Sequence, residues 1–138
     1  MEKTETENKV EYICKIKESD KNIIINLYNV NVANFNYSLD TYGKTHAMRG
    51  HSGSDRKLRE YEIPVTGADF LNLKKYIESS TELVGAGISR SRKLPTIMHI
   101  FDSGDFNIYI VFEILNKKKE LRLKTMYKNK KHFYQQGS

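Results

Sequence analysis

Thr96-Ile-Met-His-Ile-Phe-Asp-Ser-Gly-Asp-Phe-Asn-Ile-Tyr-Ile-Val-Phe-Glu-Ile-Leu-Asn-Lys-Lys-Lys-Glu-Leu-Arg-Leu-Lys-Thr-Met-Tyr127 is the stretch that decides the fold. Three runs with strand character, Thr96 to Phe101, Phe106 to Leu115 and Glu120 to Tyr127, are separated only by Asp102-Ser-Gly-Asp105 and Asn116-Lys-Lys-Lys119. Connections this short join antiparallel neighbours, because a parallel crossover needs roughly a dozen residues or more. An antiparallel meander is therefore predicted. In the last strand, alternation with period two sets Leu121, Leu123, Thr125 and Tyr127 on one face and Arg122, Lys124, Met126 and Lys128 on the other, which predicts a basic, partly accessible sheet face. On that alternation Lys124 and Thr125 meet at one site only where a bulge or the strand end re-aims one of them. His99 alternates with Ile97 and Phe101 and reads as a buried structural histidine.

Upstream of the meander, Val65-Thr-Gly-Ala-Asp69 leads into Phe70-Leu-Asn-Leu-Lys-Lys-Tyr-Ile77. Phe70, Leu73 and Ile77 recur at helical spacing, with Leu71 in support, and Thr66 or a neighbour caps the start, so an amphipathic helix is expected. Gly85 to Lys93 reads as a polar, basic, glycine-bearing loop. Val10 to Lys17 and Asn22 to Val32 are rich in β-branched and aromatic residues and flank the polar Glu18-Ser-Asp-Lys-Asn22, which reads as a β-hairpin. Lys44 to Gly50 reads as a short helix ending at its glycine, with His51 just beyond. The fold class expected is α+β, helices packed on an antiparallel sheet and preceded by a hairpin.

The 138 residues suit one domain, with residues 1–9 as a frayed acidic tail and 10–138 as a single folded unit. A single cysteine, Cys14, excludes an internal disulfide and a zinc site of the finger type. No apolar run approaches membrane-spanning length, and the first nine residues lack the apolar core of a signal peptide, so no membrane association is expected and action in the cytoplasm is, with delivery into a target cell as one route. The net charge is +6, and residues 91–138 carry ten basic against four acidic side chains. Between Lys117 and Lys131 only Glu120 opposes the lysines and Arg122. Such a field suits a polyphosphate partner.

His46 and His51, in Lys44-Thr-His-Ala-Met-Arg-Gly-His-Ser52, lie five residues apart with Arg49 between them. Two neighbouring imidazoles can take and return a proton near neutral pH, as metal-free RNA cleavage requires at the 2′-hydroxyl and the departing 5′-oxygen. On an uninterrupted helix this spacing separates the rings by about 140°, so their convergence calls for a break at Gly50. A metallonuclease fits less well, since only Asp55, Glu60 and Glu62 lie near in sequence. No phosphate-binding loop ends Gly85-Ala-Gly87, and no hydrolase elbow is present.

His46-Ala-Met-Arg-Gly-His51, then Ile63-Pro-Val-Thr-Gly-Ala-Asp-Phe70, then Leu121-Arg-Leu-Lys-Thr-Met-Tyr-Lys128 form an ordered succession. It resembles the phage-associated and polymorphic-toxin nucleases of the barnase/EndoU/colicin/RelE-like superfamily. The resemblance spans about Lys44 to Lys131 and leaves residues 10–40 as a variable extension or a partner-binding part. It implies a metal-independent, cofactor-free ribonuclease in which the ribose 2′-hydroxyl attacks phosphorus to leave a 2′,3′-cyclic phosphate. On this reading His46 and His51 form the acid/base pair and Lys124 neutralises the phosphorane. Thr125 and Tyr127 bond phosphate oxygens or orient a histidine, and Arg49, Arg56, Arg122 and Lys128 hold substrate. The substrate expected is RNA, tRNA included, and an acidic immunity protein or antitoxin is the expected protein partner. The competing expectation is a non-catalytic RNA-binding or protein-interaction module using the basic sheet face, with Tyr109, Tyr127, Phe133 and Tyr134 as stacking faces.

Overall fold

The computed structural model describes residues 7–51 and 60–131, with Gly50 and His51 as backbone only. The elements are β1 (Val10–Lys15), α1 (Glu18–Tyr28), β2 (Asn36–Asp40), α2 (Thr41–His51), β3 (Glu62–Ile63), α3 (Gly67–Leu71), α4 (Leu73–Glu78), β4 (Glu82–Ile88), β5 (Pro95–Asp102), β6 (Phe106–Leu115) and β7 (Glu120–Lys130). Together they make an α+β fold on an open seven-stranded sheet in the order β1-β2-β7-β6-β5-β4, with β3 paired to the far end of β7. All pairings are antiparallel except β2 with β7. The β5-β6-β7 meander predicted from its short connections is present, and no helix among the described residues is long and apolar enough to cross a membrane.

One sheet face carries the core. Ile97 and His99 of β5, Ile108, Ile110 and Phe112 of β6, and Leu121, Leu123 and Met126 of β7 are buried on it, against Ile24 of α1 and Leu73 and Ile77 of α4. Tyr37 and Leu39 of β2 join the same cluster, so residues 10–40 are built into the sheet and its core. Asn8 and Lys9, read as part of a frayed tail, are tied down: the Asn8 amide donates to Asp40, and Lys9 and Thr41 exchange hydrogen bonds of 3.0 Å.

The expected amino-terminal hairpin is replaced by a strand and a helix. Glu18 to Asn22 opens α1, and the isoleucines that suggested a second strand are helical. Asp20 and Ile24, four residues apart, are buried on one face while Ile25 and Leu27 stay exposed, the pattern of a one-sided helix and not of a strand. Glu18 and Asp20 complement the positive end of the helix dipole, and Asn29, at φ 57°, closes the other end with its N–H on the Ile25 carbonyl. Packing has overridden β-propensity here.

Three smaller differences have local causes. The helix expected over Phe70–Ile77 is two short helices divided at Asn72, although Thr66 and Asp69 form the capping box at its start. Gly85 to Ile88 belongs to β4, an edge strand that β5 supplies with backbone hydrogen bonds, leaving 89–93 as the loop. Finally, α2 begins at Thr41 and continues through Gly50 to His51, so the break expected there is absent.

Candidate active site

The site is built at an irregularity in β7. Val111 pairs with Thr125 but Phe112 pairs with Leu123, so Lys124 is an extra residue in its strand, a β-bulge. The bulge reverses the alternation expected for β7. Met126 and Lys128 fall on the core face with Leu121 and Leu123, while Thr125 and Tyr127 share the opposite face with Arg122, Glu113 and Tyr109. Lys124 therefore stands where the strand bends.

On the outer edge of β7, β2 pairs only as far as Arg122 and β3 begins only at Lys128. Helix α2 packs on the strand between them. A Cβ at Gly43 would lie 2.4 Å from the Leu123 carbonyl oxygen, so only glycine lets the helix approach the bulge this closely. We expect Gly43→Ala to destabilise the chain by about 1–3 kcal/mol, the usual cost of overpacking. Urea denaturation measures it, and an unchanged midpoint would show that the helix can move away freely.

The amino terminus of α2 is held by a buried ionic network. Asp40 accepts the Gly43 N–H at 2.8 Å through one carboxylate oxygen and the Arg122 guanidinium at 2.9 Å through the other. Arg122 also bonds Ser38 and Glu120. Burial disfavours the Asp40 charge, but the Gly43 N–H, the Asn8 amide and Arg122 outweigh it and lower the pKa. The sheet, the helix start and Asn8 are thus coupled at one carboxylate.

Between α2, the 89–93 loop and the bulge lies an open pocket of about 140 Å³, lined among others by His46, Arg92, Glu113 and Lys124. His46 reaches it from α2, one turn after Tyr42, and is exposed. Glu113 comes from β6 and its side chain is only 3% exposed. One of its oxygens pairs with Arg92 at 3.0 Å, while the other is buried without a hydrogen-bond partner among the described residues, its near cation being Lys124 Nζ at 3.9 Å. A buried carboxylate oxygen without a hydrogen bond is costly, and a carboxylate that lines a pocket can accept a proton from a bound hydroxyl. Arg92 and Lys124 supply positive charge for an anion, and His46 supplies a group able to give or take a proton.

Of the residues singled out in the sequence, His46 and Lys124 are thus brought together. The His51 side chain and Arg56 lie outside the described residues, as do His132, Phe133 and Tyr134. On the continuous helix, positions 46 and 51 are about 140° apart. Arg49 is exposed on α2, one turn past His46, and does not line the pocket. Thr125 lies beyond the bulge, with its hydroxyl buried and unpartnered among the described residues. Tyr127 stacks on Tyr109 with ring centroids 4.9 Å apart. Arg122 is taken up by Asp40 and Glu120, and Lys128, on the core face, bonds Asp69 at 3.0 Å.

Glu113 and Arg92 were not foreseen. Glu113 is the one charged residue in the apolar run Phe106 to Leu115, and that isolation was the available signal. His99 is fully buried as expected, bonded to Tyr37 and Ser80 at 2.7 Å each, with Tyr37 in turn donating to Asp20. Among the described residues, no three histidine, cysteine, aspartate or glutamate side chains gather in a way that would hold a metal ion. Comparison with known proteins finds no matching family model, no matching curated protein and no matching solved structure.

Proposed function

We propose that the chain is a metal-independent ribonuclease that cleaves RNA, tRNA among its substrates, to a 2′,3′-cyclic phosphate and a 5′-hydroxyl. The observation that carries the reading is the Glu113 carboxylate, one of whose buried oxygens makes no hydrogen bond among the described residues and lies 3.9 Å from Lys124 Nζ, in the same pocket as His46, Arg92 and Lys124. Glu113 takes the proton of the 2′-hydroxyl, whose oxygen then forms a bond to phosphorus. The P–O5′ bond breaks, and His46, protonated, delivers its proton to the leaving 5′-oxygen. Lys124 and Arg92 neutralise the charge that grows on the equatorial oxygens of the phosphorane.

Glu113 thus fills the place that the sequence reading gave to a second histidine. The pocket falls below the roughly 300 Å³ at which ordinary small-molecule pockets begin, while still having room for a phosphodiester. The ordered resemblance to barnase/EndoU/colicin/RelE-like nucleases points to the same chemistry.

The test is cleavage of tRNA and of single-stranded RNA by the full chain in EDTA, with end-group analysis. Cyclic phosphate ends are expected, together with complete resistance of a substrate carrying 2′-deoxyribose at the cut position. Binding of RNA with no cleavage of any substrate overturns the reading in favour of a non-catalytic module. Cleavage that EDTA abolishes and a divalent ion restores overturns its metal independence.

A further inference from the structure

Resting on the ribonuclease reading, we propose that Tyr42 is the stacking platform for an unpaired RNA base next to the cleaved phosphate. Tyr42 lines the pocket that holds His46, Glu113, Arg92 and Lys124, yet it is 66% exposed. Residues four apart on a helix are neighbours on its surface, so Tyr42 and His46 stand side by side on α2.

The backbone that carries the platform is held in place. The Tyr42 N–H donates to Asn8 Oδ1 at 3.1 Å, and the adjoining Thr41 is hydrogen bonded to Lys9 in both directions. Asp40, one residue further back, is held by Arg122. An exposed aromatic side chain on a pinned helix start offers its surface with little ordering left to do.

The chemistry of the lining chooses the occupant. With the phosphate seated by the cations of this open pocket, Tyr42 on the same lining presents its exposed ring to the attached base. Arg92 and Lys124 supply the positive charge for the phosphate, whereas Tyr42 brings an uncharged aromatic side chain to the lining, beside Asp40 and His46. A base within a duplex already has neighbours on both faces, whereas an unpaired base has a free π-face for the ring.

The experiment uses the full chain, a single-stranded oligoribonucleotide with 2′-deoxyribose at the cut position as the binding probe, and its cleavable all-ribose counterpart. Removing one base-aromatic stack weakens binding by about 5- to 100-fold. That loss is expected for Tyr42→Leu in both Kd and KM, with kcat changed by less than about threefold, while Tyr42→Phe stays within about twofold of the native chain. A probe with one abasic position beside the cut site is expected to bind the native chain as weakly as the intact probe binds Tyr42→Leu, and to bind Tyr42→Leu no more weakly still.

Equal binding by Tyr42→Leu and the native chain, or an abasic loss of the same size in both, overturns the stacking role. A loss for Tyr42→Phe as large as for Tyr42→Leu does so too, since it assigns the effect to the hydroxyl. Equal affinity for the same sequence in a duplex overturns the requirement for an unpaired base. A native chain that neither binds nor cuts RNA removes the ribonuclease reading as well, so the two failures are told apart by the native chain alone.

Discussion

Glu113→Gln is expected to slow RNA cleavage in EDTA by about 10²- to 10⁴-fold, the range that a positioned general base contributes. The substitution keeps the shape of the side chain and leaves a carbonyl oxygen to accept from Arg92, which now bonds Glu113 at 3.0 Å. It takes away the ability of the second oxygen to gain a proton. Binding of a probe with 2′-deoxyribose at the cut site is expected to persist, because Arg92, Lys124 and Tyr42 are untouched.

His46→Gln is expected to cost a similar factor, and the double variant little more than the worse single one, as for residues that act in one step. Glu113→Gln at the native rate would make Glu113 a structural partner of Arg92 and leave the site without its base.

The parts of the fold legible in the sequence are those that local rules determine. Connections of a few residues impose an antiparallel meander, and Thr66 with Asp69 announces a helix start. Helix α1 was not legible, because Ile23-Ile24-Ile25 favours a strand until Ile24 has a core to enter. The bulge at Lys124 was not legible either. A period-two reading passes through an extra residue unaware, and every later side chain is then assigned to the wrong face, as happened for Met126, Lys128, Thr125 and Tyr127. His46 was singled out for its chemistry and Lys124 through the resemblance, whereas Glu113 and Arg92 acquire meaning only when β6 and the 89–93 loop are folded beside the bulge. Sequence separation of 67 residues between His46 and Glu113 leaves no local pattern to read.

Arg122→Ala is expected to produce the largest loss of stability, about 3–5 kcal/mol, as when one member of a buried ion pair is removed. Arg122 and Asp40 have side chains only 4% and 6% exposed, so the carboxylate left behind has little water to replace the guanidinium. The deficit also carries a pH signature. In the native chain burial disfavours the charges of Asp40 and Glu120, but their hydrogen bonds and Arg122 outweigh it, and both pKa values are lowered. A group whose folded pKa is depressed stabilises the fold fully above its unfolded value, near 4, and loses that stabilisation as pH falls through the folded value. The native chain is therefore expected to weaken below about pH 4. Without Arg122, burial acts on Asp40 with less to oppose it, and protonation relieves a buried charge instead of breaking a pair. The gap between native and Arg122→Ala midpoints in urea is thus expected to be widest at pH 7 and to narrow on acidification through pH 4. A gap of constant width would place the stabilisation in the packing of the Arg122 stem and not in its charge.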